Sequence, residues 1–254
     1  MDKTADETGK SSETSPRRTR DALILLFTLF FPSVLTWAYF VYGKGLDPAI
    51  SKYVYAVGKT IQFAFPVAIT AFVLKERWLV RKPNRRGLLV GGLFGLVVGL
   101  AIFLLGRYGL SSNGSLAPLF DRLREELLAR LEPLGLANRG AFLVLFVFYS
   151  VCHSGLEEYY WRWFAFRRVS AFRRLSFVPA ALVANGAFML HHIILLGVYF
   201  GYGNWLTWFS SFGVFVGGLV WQTIYRRTDS VYGGWLSHGL IDAGIFAVGF
   251  LMIP

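Results

Sequence analysis

Long apolar runs, each broken off by a short polar or basic stretch, recur along the whole chain. They fall at about Ala22–Tyr42, Tyr53–Leu74, Leu88–Leu105, Phe142–Arg167, Val178–Phe200, Trp205–Tyr225 and Val231–Ile253. Each is close to the ~20 residues that an α-helix needs to cross about 30 Å of hydrocarbon. Between the third and fourth runs, Leu116, Leu119, Phe120, Leu123, Leu127 and Leu131 recur at helical spacing. Arg122, Arg124, Glu125, Glu126 and Arg130 fall on the opposite face, so this segment predicts an amphipathic helix lying in the membrane interface. The pattern therefore predicts an all-α, polytopic transmembrane helix bundle with about seven spans plus one interfacial helix. Pro32 predicts a bend in the first span. Gly87, Gly91, Gly95 and Gly99 line one face of the third and let another helix approach closely.

Composition agrees with this pattern. The chain is 55% hydrophobic and 16% charged, with a mean hydropathy of +0.49, more apolar and less charged than soluble domains are. Residues 1–20 are polar and charged without periodicity and read as a disordered cytoplasmic tail, which leaves 21–254 as the transmembrane domain. The first run is too long for a signal-peptide core and is followed by no evident cleavage site, so it reads as a span. A net charge of +11 raises the question of nucleic acid, but the basic residues gather in alternate loops: the tail, 75–86, 167–174 and 226–227. That distribution excludes nucleic acid as a partner and points to anionic lipid headgroups. It also puts the N-terminus in the cytoplasm and the C-terminus outside. A single cysteine, Cys152, excludes a disulfide framework and any multi-cysteine metal site. Lys59 and Gln62 fall near the outer end of the second span, where the lysine is expected to snorkel to the interface.

Against this background the ionisable residues inside the spans stand out, because each costs about 2.5–3.5 kcal/mol on insertion scales and marks a candidate functional site. The fourth run holds Glu157, Glu158 and Arg162; the fifth holds His191 and His192; the seventh holds His238 and Asp242. At 1.5 Å per residue from the cytoplasmic ends, Glu157, His192, His238 and Asp242 lie at depths of ~14, ~21, ~11 and ~17 Å, close enough for one layer. Glu158 and Arg162 are four apart and pair on one helix face. Glu157, turned about 100° from that face, is free for another partner. His238 and Asp242 share a face, as do Phe188 and His192. His191 is expected to face elsewhere, and His153, four residues before Glu157 and its nearest neighbour on that face, reads as packing or as a support behind that carboxylate.

Glu157-Glu158-x-x-x-Arg162, Phe188-x-x-x-His192 and His238-x-x-x-Asp242, in that order on successive late spans, resemble the CAAX-protease and bacteriocin-processing (CPBP, or ABI) family of intramembrane endopeptidases. The resemblance covers about residues 140–250, which it marks as the protease core. It implies peptide-bond hydrolysis inside the membrane, with Glu157 and His192 activating water and His238 with residue 242 stabilising the oxyanion. Glu158, Arg162 and Phe188 would support them. The last position is often Asn in the family and is Asp here. An ionised Asp242 cannot donate to an oxyanion, so it is protonated, orients His238 or binds something else. Eukaryotic relatives trim prenylated C-terminal tripeptides; bacterial ones process peptides, protect against them or cleave sorting tails.

The residue types suit this chemistry by themselves. Water attacking an amide needs a positioned base, and the charge that builds on the carbonyl oxygen needs a preorganised donor. Glu157, His192 and His238 could also form a His₂Glu zinc set. No His-Glu-x-x-His pair supports it, so a metal-free glutamate mechanism with no required cofactor is preferred and zinc is the alternative. The implied partners are membrane lipids and a peptide or protein substrate, engaged through its C-terminal segment. The expected location is a prokaryotic plasma membrane. Two other classes fit buried carboxylates and histidines: a proton-coupled transporter, which would favour internal repeats, and a catalytically silent membrane scaffold.

Overall fold

The computed structural model describes residues 14–77, 81–111, 117–172 and 174–254. Residues 1–13 of the expected tail, Trp78–Val80 of the basic loop, Leu116 of the amphipathic pattern and Arg173 lie outside the described residues. All regular structure among the described residues is helical. The main helices are α1 (Thr14–Phe40), α2 (Pro48–Ala68, continued by a π-helical turn, Ile69–Val73), α3 (Arg85–Ser111) and α4 (Ala117–Leu131). They are followed by α5 (Arg139–Phe172), α6 (Phe177–Phe200), α7 (Trp205–Thr228) and α8 (Tyr232–Met252).

Helix starts follow local chemistry. Asp47 accepts a hydrogen bond from the Ala49 amide at 2.7 Å, and Pro48 opens α2, where a missing N–H costs nothing. Asn138 caps α5 through the Ala141 amide at 2.9 Å, and Asn204 caps α7 through Leu206 at 3.0 Å. Two starts differ from the sequence reading. α1 takes in Thr14–Arg20, which the composition assigned to the tail. α2 begins five residues before Tyr53, so Lys59 sits about 16 Å along the helix rather than near its end.

Among the described residues, six helices are long and apolar enough to cross a membrane: α1, α2, α3, α5, α6 and α8. The expected sixth span, Trp205–Tyr225, does form a continuous helix, α7. Its Trp205, Trp208, Ser210, Ser211, Trp221 and Gln222 lower its hydropathy, and it is not among the six. The outer face of α3 is lipid-like, with Leu89, Leu93 and Leu105 at 64%, 67% and 70% exposure. This is an integral membrane helix bundle.

Two packing contacts place the site. α3 lies along α8, and a Cβ on Gly95 would come within 2.6 Å of the Ser237 carbonyl oxygen; one on Gly91 or Gly99 would strike the backbone at Gly233 or Leu240. The glycine groove thus allows α8 to lie almost backbone to backbone on α3. α5 is threaded through the middle, its Tyr160 hydroxyl donating to the Thr28 carbonyl of α1 at 2.8 Å. α5 is not a uniform α-helix: π-helical stretches Phe148–His153 and Tyr159–Ala165 flank a short α-helical segment, Ser154–Glu158. Widened turns of this kind often mark functional sites. The Trp235 indole of α8 donates to the Val151 carbonyl in the first of them at 2.7 Å.

Candidate active site

The segment between the two π-helical stretches carries both glutamates, and both are buried: Glu157 is 3% exposed and Glu158 0%. They face different partners, as their 100° offset requires.

Glu158 belongs to a buried polar cluster. Its Oε1 lies 3.0 Å from Arg162 Nη1 and 3.0 Å from His238 Nδ1. Arg162 is fully buried, sandwiched 4.8 Å from the Phe188 ring centroid and 4.9 Å from that of Trp221. Its Nη2 donates to Asn185 Oδ1 at 3.4 Å, and Asn185 donates on to the Ala181 carbonyl at 2.8 Å. Trp221 stacks on the His238 ring, 4.3 Å between centroids and 15° between planes, and its indole donates to Ser237 Oγ at 2.8 Å. Two glycines make room for this cluster. A Cβ on Gly234 would lie 2.6 Å from Glu158 Oε2, and one on Gly218 would run into Asn185 Oδ1. The i, i+4 pair is therefore one layer of a stack that fixes the His238 ring.

Glu157 lies among imidazoles. Its Oε1 is 3.7 Å from His191 Nε2 and 3.8 Å from His153 Nε2, and its Oε2 is 3.8 Å from His238 Nε2. These gaps exceed a direct hydrogen bond, about 2.7–3.2 Å, yet one water molecule can touch both ends of any of them. His192 sits behind Phe188, 4.7 Å between ring centroids, with Nδ1 donating to the Phe188 carbonyl at 3.0 Å. A carbonyl or a carboxylate can only accept, so His192 and His238 both hold a proton on Nδ1 and keep Nε2 out of these bonds. Asp242 Oδ1 lies 3.8 Å from His238 Nε2.

The structure thus brings Glu157, Glu158, Arg162, Phe188, His192, His238 and Asp242 to one place on three helices. It also brings residues that the sequence reading left out. His191 does not face elsewhere: it is buried, stacked on Trp161 at 5.7 Å and 7°, and reaches Glu157. His153 likewise turns to Glu157. Asn185 and Trp221 complete the Arg162 cage. A polar residue inside an apolar run was a usable signal for Asn185; nothing in the local sequence distinguished Trp221 from a packing aromatic. The Lys59 ammonium lies between two rings of its own helix, 5.4 Å from the Phe63 centroid and 5.7 Å from that of Tyr55.

Among the described residues, Glu157, His191 and His192 offer ligand atoms that all lie within 4.8 Å of one another. The set expected for a metal was Glu157, His192 and His238; His191 replaces His238, whose Nδ1 is tied to Glu158. A His₂Glu donor set of this spacing fits zinc in kind, since catalytic zinc sites use three N/O ligands and leave one position open. Bound there, zinc would acidify a water molecule.

Comparison with known families gives one match, and the comparisons with curated proteins and with solved structures give none. Residues 139–244 match the family model described as type II CAAX prenyl endopeptidase Rce1-like. That segment runs from the start of α5 into α8 and contains every residue of both clusters. Over the part that carries the site, the chain is similar to the CAAX prenyl endopeptidase family.

Proposed function

We propose that this protein is an intramembrane endopeptidase that hydrolyses a peptide bond of a membrane-associated protein or peptide with a water molecule activated by Glu157. The observation that carries this reading is a carboxylate deep in a membrane bundle, ringed at 3.7–3.8 Å by three imidazoles and bonded to none of them. A purely structural glutamate in such a place would be tied up, as Glu158 is. Glu157 accepts the proton of a water molecule held against it, and the free Nε2 of His192 or the neighbouring His191 helps to orient that water. The attack breaks the peptide C–N bond, and the departing amine takes up the proton.

His238 serves the oxyanion. Its Nδ1–H is already given to Glu158, so it can donate from Nε2 only as an imidazolium. Glu157, Glu158 and Asp242 surround it and supply the counter-charges such an ion needs in a low-dielectric site. In this reading Asp242 acts through His238 and not on the oxyanion itself, which removes the difficulty of a carboxylate where relatives often carry an amide. The mechanism uses no metal. If zinc were held, Glu157, His191 and His192 would hold it, and Glu158, Arg162 and His238 would keep the same tasks.

In this reading the basic residues of alternate loops put the N-terminus in the cytoplasm, and the short loops favour a prokaryotic plasma membrane. Substrate peptides reach the site within the bilayer. The test compares the membrane and secreted peptides of cells expressing the wild type with those of cells expressing Glu157→Gln at equal level. Peptides that are processed only with the wild type support the reading. Identical peptide sets in the two cells contradict it.

A further inference from the structure

Lys59 is a charge without a counter-ion in the interior of the bundle. It is half-buried on α2, about 16 Å along the helix from Pro48. Among the described residues no carboxylate lies within ion-pair distance of it, while Lys44, Arg81, Arg162 and Arg168 each have one. Its ammonium rests instead over the Tyr55 and Phe63 rings at 5.7 and 5.4 Å, contacts that offset only part of its desolvation.

Its position is not lipid-facing. The Phe63 ring meets the His153 ring edge-on at 5.9 Å, and His153 Nε2 is 3.8 Å from Glu157. Lys59 is near enough for its charge to act on both Glu157 and His153. The Tyr149 ring packs on His153 as well, 4.7 Å between centroids. The result is a row of aromatic rings with the reacting carboxylate at one end and a cation along its side.

We infer that Lys59 is the anchor for the free α-carboxylate at the C-terminus of the substrate, and so a specificity-determining residue that fixes how far from that end the chain is cut. This deepens the peptidase reading and rests on it. A peptide cut near its C-terminus must bring its own carboxylate into the low-dielectric interior, where that anion needs a partner as much as Lys59 does. Two rings, Phe63 and His153, separate Lys59 from Glu157, so a substrate held by its carboxylate at Lys59 presents an internal bond, set back from its end, to Glu157. A lysine rather than an arginine suits the task, since a compact ammonium takes a carboxylate from any direction.

The test uses a farnesylated peptide ending in a C-terminal CAAX sequence, prepared once with a free carboxylate and once as the C-terminal amide. Purified wild type is expected to prefer the free acid through KM. Lys59→Met is expected to raise KM for the free acid about tenfold or more, leave kcat within a factor of three, and cut the amide as wild type does. Lys59→Arg, which keeps the charge, is expected to retain most of the preference. Equal loss on both peptides, a loss in kcat instead of KM, or no change in preference overturns the assignment of Lys59 while leaving the peptidase reading intact. Failure of the wild type to cut either peptide overturns the assignment of a C-terminal carboxylate anchor, while the comparison of peptides from wild-type and Glu157→Gln cells decides the peptidase reading.

Discussion

Arg162→Met is the most informative single perturbation of the polar stack. Arg162 and Glu158 are each 0% exposed and lie 3.0 Å apart, so the substitution leaves a carboxylate in the bundle with only His238 as a partner. Removing one member of a buried pair costs about 3–5 kcal/mol, mostly for the charge left behind. The two ring contacts of the guanidinium, at 4.8 and 4.9 Å, add about 1–2 kcal/mol more in a desolvated site. Methionine fills part of the volume and recovers some of that packing. A net loss of about 3–5 kcal/mol is therefore expected, which for a chain of this size lowers Tm on the order of 10 °C. Thermal unfolding of the purified protein in detergent measures it, together with Glu158→Gln and the double variant. The double variant is expected to recover at least half of the stability, because no charge is left unpaired. It is not expected to recover peptide cleavage, since His238 Nδ1 then faces an amide and loses its charged partner. A Tm for Arg162→Met within 2 °C of wild type, or activity regained in step with stability in the double variant, refutes the account of this pair as the device that positions His238.

Further outcomes follow from the same geometry. Gly234→Ala puts a methyl group 2.6 Å from Glu158 Oε2 and is expected to reduce cleavage at least tenfold with less effect on Tm than Arg162→Met, measured by peptide assay and thermal unfolding. Gly95→Leu forces α8 away from α3, where a Cβ already falls 2.6 Å from the Ser237 carbonyl oxygen; it is expected to destabilise by about 2 kcal/mol or more and to abolish activity through His238. Asp242→Asn is expected to keep activity within about tenfold of wild type in the peptide assay, because the residue acts through His238. A metal-free mechanism predicts that exhaustive treatment with a zinc chelator leaves turnover unchanged and that elemental analysis finds less than a tenth of an equivalent of zinc. Loss of turnover restored by zinc would favour the Glu157, His191 and His192 set.

Much of this architecture was legible because hydrophobic length is a direct measure of bilayer thickness. Charges are scarce enough in the apolar runs that Glu157, Arg162, His238 and Asp242 identified themselves. What escaped depends on contacts between helices or on departures from ideal helix geometry. His191 was read as facing away from the site because neighbours on a helix point about 100° apart. In the folded chain both imidazoles of the pair, 4.2 Å between centroids, lie in the same interhelical crevice. Lys59 was misplaced because the Asp47-Pro48 start signal was passed over, so the helix seemed to begin at Tyr53 and the lysine seemed to lie near its end. The π-helical stretches around Glu157 leave no mark in composition. Trp221 was indistinguishable from any other membrane aromatic until its ring was found between Arg162 and His238. Asn185, by contrast, stood in plain view as a polar side chain in an apolar run.

The measurement that bears most directly on the central claim is single-turnover cleavage of a membrane-associated peptide by purified Glu157→Gln beside the wild type, with thermal unfolding showing both to be folded. Replacing a general base with an amide of the same shape is expected to slow the chemical step by about 10²–10⁴-fold while leaving peptide binding in place. Cleavage by the folded variant within a few-fold of wild type would contradict the assignment of Glu157 as the group that activates water.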